Sequence, residues 1–185
     1  MADADGESRA GDLLSFNMKQ ALIVVLFLLS ACQPKHAANN YLYRITDTIS
    51  GDYGYINAKG DTIIPFGKYP MCFTDTFKTF ALVTDTAMGF VAINRDEKVL
   101  FKVFPFDNGP DYTSEGYFRM IDGNKIGYAD TTGKVAIQPQ YACAFPFKND
   151  TAKVSNNCKV IADGEHSTWQ SDNWYYIDKT GKRVK

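Results

Sequence analysis

Two histidines and four cysteines are the chain's whole complement of imidazole and thiol side chains in 185 residues. His166 precedes Ser167 in Asp163-Gly164-Glu165-His166-Ser167, and an imidazole beside a hydroxyl is the raw material of a nucleophile–base pair. Neighbours in sequence seldom turn their side chains toward each other, and no third group is indicated to orient the imidazole. No catalytic residue is therefore assigned. His36 reads as a solvated linker residue. Cys72, Cys143 and Cys158 lack a CxxC partner or a nearby ligand histidine, so neither zinc nor any other cofactor is expected. They read first as small apolar core residues, and second as a source of one bridge, Cys143–Cys158 or Cys72–Cys143, with one thiol left over. Asp107-Asn108-Gly109-Pro110-Asp111 lacks the alternating ligands and terminal Glu of a calcium loop and reads as a turn-rich insertion. No glycine loop for phosphate is present.

The remaining cysteine, Cys32, sits in a different grammar. In Met18 to Lys35, Lys19 supplies a positive charge, Ala21 to Leu29 form an uninterrupted apolar run, and Ser30-Ala31 are small residues before Cys32. This is the pattern of an export signal, and the run falls short of the ~20 apolar residues a spanning helix needs. Leu29-Ser30-Ala31-Cys32 resembles the lipobox of bacterial lipoproteins. That resemblance implies cleavage after residue 31 and acylation of Cys32, with residues 18–31 as the signal peptide and 32–40 as a lipidated tether. The partner so implied is a membrane, reached through the lipid. Residues 1–17 are acidic where a signal should begin basic. The expectation is that translation starts at Met18 and that residues 1–17 are an overextended start, a disordered leader being the other reading. The eight residues from Gln33 to Asn40 span at most about 26–29 Å when extended, which holds the domain beyond them near the bilayer. The expected location is the cell envelope, on the outer membrane or cell surface in preference to the inner membrane.

Net charge is −1, so no electrostatic footprint for nucleic acid exists. After Cys32 the aromatics lie in short stretches punctuated by Gly, Pro, Asn and Asp, which favours many short strands and an all-β fold. Self-similarity then supplies the organisation. Gly54-Tyr55-Ile56-Asn57-Ala58-Lys59-Gly60 recurs as Gly127-Tyr128-Ala129-Asp130-Thr131-Thr132-Gly133. It recurs again as Tyr175-Tyr176-Ile177-Asp178-Lys179-Thr180-Gly181, and in degenerate form from Gly89 to Asn94. The recurrent Asn57, Asn94, Asp130 and Asp178 fall where a turn is needed, so turn chemistry accounts for them before any acid–base role does. A second strand follows and ends at Pro65 or Pro139, since proline cannot continue the ladder. Tyr69 or Tyr141, then Phe73 or Phe145, lead to a final apolar strand.

This unit resembles the WG repeat over about residues 41 to 185. The family's tryptophan is replaced by Tyr53, Met88 and Ile126, whereas the last copy keeps Trp174 and has Tyr175 for the glycine. The copy beginning at Gly89 has Asp96-Glu97-Lys98 in place of the Gly-Lys turn. Tyr41 to Ile45 reads as the final strand of a half unit, three units follow, and Asn173 to Lys185 is a terminal hairpin. Uneven unit lengths favour an open array of β-meanders over the alternative, a small closed propeller-like ring. Asp163 to Asn173 is the longest break in the repeat and carries Trp169, either as part of a recognition loop or folded onto the neighbouring sheet. Trp169, Trp174 and Tyr175 are the candidate contacts. The function expected is non-catalytic: a membrane-anchored repeat surface that binds an envelope protein or an extracellular polysaccharide. The alternatives are a glycan-processing enzyme or enzyme subunit, and a purely structural envelope component.

Overall fold

The computed structural model describes residues 40–164 and 166–184. Cys32, the signal segment and the tether up to Asn39 lie outside the described residues. Eighteen strands follow one another, and no helix occurs among the described residues. In chain order they are β1 (Leu42–Thr46), β2 (Tyr53–Ile56), β3 (Thr62–Ile64), β4 (Met71–Cys72), β5 (Thr76–Phe77) and β6 (Phe80–Asp85). Then come β7 (Gly89–Asn94), β8 (Val99–Val103), β9 (Pro105–Phe106), β10 (Gly109–Pro110), β11 (Tyr117–Asp122) and β12 (Lys125–Asp130). The last are β13 (Val135–Tyr141), β14 (Cys143–Ala144), β15 (Ala152–Ser155), β16 (Lys159–Asp163), β17 (His166–Gln170) and β18 (Tyr175–Ile177).

A three-strand antiparallel meander recurs, made of the strand that closes one copy and the hairpin that opens the next: β1-β2-β3, β6-β7-β8 and β11-β12-β13. The fourth is shorter among the described residues: β15 pairs β18, and an isolated bridge joins Ile177 to Arg183. Pairing of β11 with β8 merges two meanders into a seven-stranded sheet, β13-β12-β11-β8-β7-β6-β4, beside a four-stranded sheet, β3-β2-β1-β5. Among the described residues every sheet is open and the terminal strands β1 and β18 do not pair with each other, so the array is open and its ends do not complete a ring.

The packing explains why the middle strands read as continuous apolar runs. Strand β7 buries Val91 and Ile93 with Tyr55, Phe77, Ala81 and Val83 in one core. Its intervening Ala92 joins Phe101, Phe118, Met120 and Ala129 in a second. A third core gathers Ile126, Tyr128, Ile137, Phe147, Val154 and Ile177. Successive residues of a strand point to opposite faces, so the central strand of a meander that lies between two others is apolar on both. Strand β8 of the same meander alternates instead, with Phe101 and Val103 buried and Leu100 and Lys102 exposed.

The four turns share one construction. The side-chain oxygen of Asn57 accepts the N–H groups of Lys59 (2.8 Å) and Asp61 (3.0 Å). Asn94 does the same for Asp96 and Lys98 at 3.0 and 2.9 Å, Asp130 for Thr132 and Lys134 at 2.8 and 3.1 Å, and Asp178 for Thr180 and Lys182 at 2.9 and 3.0 Å. Three residues after the acceptor the backbone turns left-handed, at Gly60 (φ 89°), Glu97 (59°), Gly133 (85°) and Gly181 (85°). Glu97 thus occupies a glycine position, and the copy without the Gly-Lys turn still makes that turn. Its carboxylate accepts the Tyr69 hydroxyl at 3.1 Å and pairs with Lys68 at 2.8 Å.

The buried glycine of the repeat has a different cause. Gly127 has no positive φ; a Cβ there would run into the Ile137 carbonyl oxygen and lie 2.6 Å from Pro139 N. Across from it, Ile126 pairs Tyr141 and Tyr128 pairs Ile137, leaving Gly127 opposite three residues of a bulge. This corrects one expectation: β3 ends before Pro65, but β13 continues through Pro139. The bulge leaves that proline's missing N–H unneeded. One core hydroxyl per matching copy fastens the hairpin to the following loop: Tyr55 donates to Thr74 O (2.8 Å) and Tyr128 to Phe145 O (2.7 Å).

The break from Asp163 to Asn173 is less of a loop than its composition suggests. Residues 159–170 form the exposed hairpin β16–β17, in full register from Lys159–Gln170 to Asp163–His166. Val160-Ile161 and Thr168-Trp169 are strand formers, and Gly164 (φ 62°) turns between them. Cys143 and Cys158 form a disulfide, Cα atoms 6.2 Å apart, at the root of this hairpin, and Cys72 is buried and free.

Candidate functional site

All four turn acceptors are engaged in their turns. Asp130 and Asp178 are held below the usual carboxylate range chiefly by the hydroxyls of Thr132 and Thr180, each donating at 2.6 Å, with backbone N–H groups adding to it. The segment from Asp107 to Asp111 is a tight hairpin: Phe106 pairs Gly109, with Asp107 (φ 46°) and Asn108 (φ 64°) as its two-residue turn. That is the primed turn suited to strand twist, and no group of three metal-binding side chains assembles among the described residues. Ser167 is exposed on β17, and the side chain of His166 lies outside the described residues.

What the fold brings together is aromatic. Tyr112 and Phe106 stand edge to face at 5.4 Å, and the Arg119 guanidinium lies 5.5 Å from Phe106 and 4.3 Å from Phe104. Phe104 meets Trp169 at 5.7 Å, Trp169 meets Phe145 at 5.4 Å, and Phe145 meets Trp174 at 5.5 Å. Lys153 Nζ ends the series, 4.7 Å from the Trp174 ring and 5.9 Å from Phe145. The contributing elements are the β9–β10 insertion of the degenerate copy, the β16–β17 hairpin, and the strands around them. The two places where the repeat breaks meet at Phe104 and Trp169. Six rings and two cations make one ribbon, and Tyr112, Phe106 and Phe145 are exposed along it.

Arg119 anchors this ribbon from inside. It lies in the apolar strand β11, 3 % exposed. Its Nε and terminal nitrogen donate to both carboxylate oxygens of Asp111 at 2.9 and 2.5 Å, and its backbone N–H adds a third bond at 2.7 Å. A further donation reaches Ala144 O at 3.2 Å. A planar fork matched to a carboxylate while one face carries an aromatic ring is what arginine supplies and lysine does not.

Beside the ribbon runs an open groove of about 830 Å³ bordered by Tyr112, Phe145, Lys148, Lys153 and Tyr176. Two primed turns shape its rim. Glu115 (φ 50°) belongs to one, and its carboxylate accepts the N–H groups of Asn149 (2.6 Å) and Asp150 (2.9 Å) in the other. Lys179 clips both, 2.6 Å from Asp150 and 3.5 Å from Glu115. Glu115 is the one carboxylate among the described residues lining the groove.

Of the three residues singled out in sequence, Trp169 and Trp174 both touch Phe145. Tyr175 faces the other way, against Tyr141 at 6.4 Å and Arg183 at 4.8 Å, with its hydroxyl on Asn156 at 3.1 Å. Trp174 and Tyr175 line a second, smaller cleft. Phe104, Phe106, Tyr112, Phe145 and the Asp111–Arg119 pair escaped sequence reasoning. The available signal was one arginine within the apolar Tyr117-Phe118-Arg119-Met120-Ile121 run.

The model of the WG containing repeat matches residues 53–74 and 126–159. No curated protein and no solved structure matches the chain. The matched stretches start at the residue before Gly54 and Gly127 and take in the buried tyrosines, the shared turns and the hydroxyl bonds to Thr74 and Phe145. Two stretches of this open all-β array thus match the WG containing repeat, and the aromatic ribbon is built largely from the insertions between and after them.

Proposed function

We propose that this chain is a non-catalytic lipoprotein, anchored in the cell envelope through Cys32, whose repeat array presents the aromatic ribbon and its groove to an envelope protein or an extracellular polymer. The observation that carries the reading is the ribbon itself. Repeat packing requires only that each meander cover its neighbours. The insertions instead add rings that remain partly in water, where large apolar side chains mark recognition surfaces. The Cys143–Cys158 bond supports an exported location, since disulfides persist in oxidising compartments. An enzymatic reading would draw on paired carboxylates, and the groove's Glu115 is committed to two backbone N–H groups and Lys179. Two measurements test the proposal on the native chain. Mass spectrometry should find Cys32 acylated at the mature N-terminus; a free N-terminus elsewhere overturns the anchor. Immobilised protein should retain an envelope component that Phe145→Ser or Trp174→Ser releases at unchanged circular dichroism, and equal retention by the variants removes the ribbon from function.

A further inference from the structure

We infer that the groove between Tyr112 and Tyr176 binds an acidic polysaccharide, its sugar rings stacked on exposed aromatic faces and an anionic substituent paired with Lys153. This deepens the proposed binding function and rests on it. Three aromatic side chains stay open to solvent along one concave surface: Tyr112 at 51 %, Tyr176 at 40 % and Phe145 at 39 %. A pyranose ring has an apolar C–H face and a rim of hydroxyls, so it wants flat rings beside polar groups. The groove offers that mixture. The Asn149 amide and the Lys148 ammonium make no hydrogen bond or ion pair among the described residues, so both can turn to a ligand's hydroxyls.

Charge selects the acidic class. Lys153 Nζ is held against two rings, and no carboxylate of the described residues lies within ion-pair distance of it or of Lys148. Glu115 and Asp150 share Lys179, which leaves one net negative charge at the rim against the two positive charges of Lys148 and Lys153. The uncommitted charge on the groove is therefore positive, and it sits where a carboxylate, sulfate or phosphate on a stacked sugar would meet it. A protein partner fits less well, because interface cores are depleted of lysine and packed to interior density, whereas this surface is an open furrow with two lysines.

The test titrates the full chain with oligogalacturonate, a sulfated oligosaccharide of similar length, and maltohexaose as the neutral counterpart, reading tryptophan fluorescence and calorimetric heat. At least one acidic ligand should bind, perturb the tryptophan emission and weaken with added salt. Maltohexaose should bind at least about tenfold more weakly. Lys153→Gln should weaken acidic binding about tenfold or more, the scale of one lost charge-assisted hydrogen bond. Tyr176→Ser should weaken it too, and Lys148→Gln, on an exposed side chain, should weaken it less without any risk to folding. Binding of neither acidic ligand, equal binding of maltohexaose, or no effect of Lys153→Gln overturns the inference. If no sugar binds yet Phe145→Ser still releases an envelope protein, the ligand class is wrong and the binding surface stands. If Phe145→Ser releases nothing, the surface reading fails as well.

Discussion

Replacing Asp111 by alanine should cost the protein more than any other single side-chain truncation near the groove. In the native fold the Asp111 side chain is fully buried and accepts three hydrogen bonds, two from the Arg119 guanidinium and one from its backbone N–H. Truncation leaves a 3 %-exposed guanidinium with the Ala144 carbonyl and the Phe104 and Phe106 rings, and leaves the Arg119 N–H without its carboxylate acceptor. Removing one partner of a buried pair costs roughly 3–5 kcal/mol because the other charge stays uncompensated. Against a typical domain stability of about 5–15 kcal/mol, that loss is a large share of the whole. Urea unfolding with the disulfide intact measures the loss as a lower midpoint at unchanged slope. Asp111→Leu combined with Arg119→Met should recover most of it, since a pair replaced by apolar groups of similar volume is often neutral. A loss below about 1 kcal/mol for Asp111→Ala, or a double variant no better than the single one, refutes the assignment of the pair as the ribbon's anchor.

Other expectations separate the two kinds of glycine, test the bridge and follow the turns with pH. Gly127→Ala should destabilise by roughly 2–3 kcal/mol through overpacking at the bulge. Gly60→Ala, with nothing within 4 Å of the added carbon, should cost only about 1 kcal/mol of left-handed strain; thermal melts rank the two. Reducing Cys143–Cys158, which closes a loop of 15 residues, should lower stability by about 3 kcal/mol, read by denaturation with and without dithiothreitol. Asp130 and Asp178 have folded pKa values below their unfolded ones, so their stabilisation is present above the unfolded value near pH 4 and fades as pH falls through the folded values. The double variant Asp130→Asn/Asp178→Asn makes those turns like the ones at Asn57 and Asn94. It should leave neutral stability almost unchanged and flatten the acid limb of the unfolding profile below about pH 4; an unchanged acid limb counts against the linkage.

Periodic features were legible because they repeat a local physical need. The turn at Asn57 could be read from sequence because one oxygen, two N–H groups and a left-handed residue lie within four positions. The same reading extends to Asn94, although Glu97 replaces glycine there, because the acceptor dominates the turn. Apolar stretches at β7 and β12 fit strands, but whether a meander is covered on one face or both is decided by how its neighbours stack on it. Pro139 does not end its strand, because a bulge depends on the partner strand opposite and not on the residues beside the proline. The ribbon was out of reach for a related reason. Phe104 and Trp169 are 65 positions apart, in insertions that share no sequence pattern, and only the register of the flanking sheets brings them into contact.

Each core of this array belongs to two meanders at once, so the molecule has no internal seam along which it could part into independently covered halves. The short last meander is the lid of the third core, where Ile177 packs with Tyr128 and Val154. Melting should then run like a zipper from the two terminal hairpins inward. Amide exchange should be fastest in β1–β3 and β18 and slowest in β7 and β12, whose strands have neighbours on both faces and both edges. A change in copy number would have to add or remove a whole meander with its turn, bulge and tyrosine, because any smaller step uncovers the face of the one left behind.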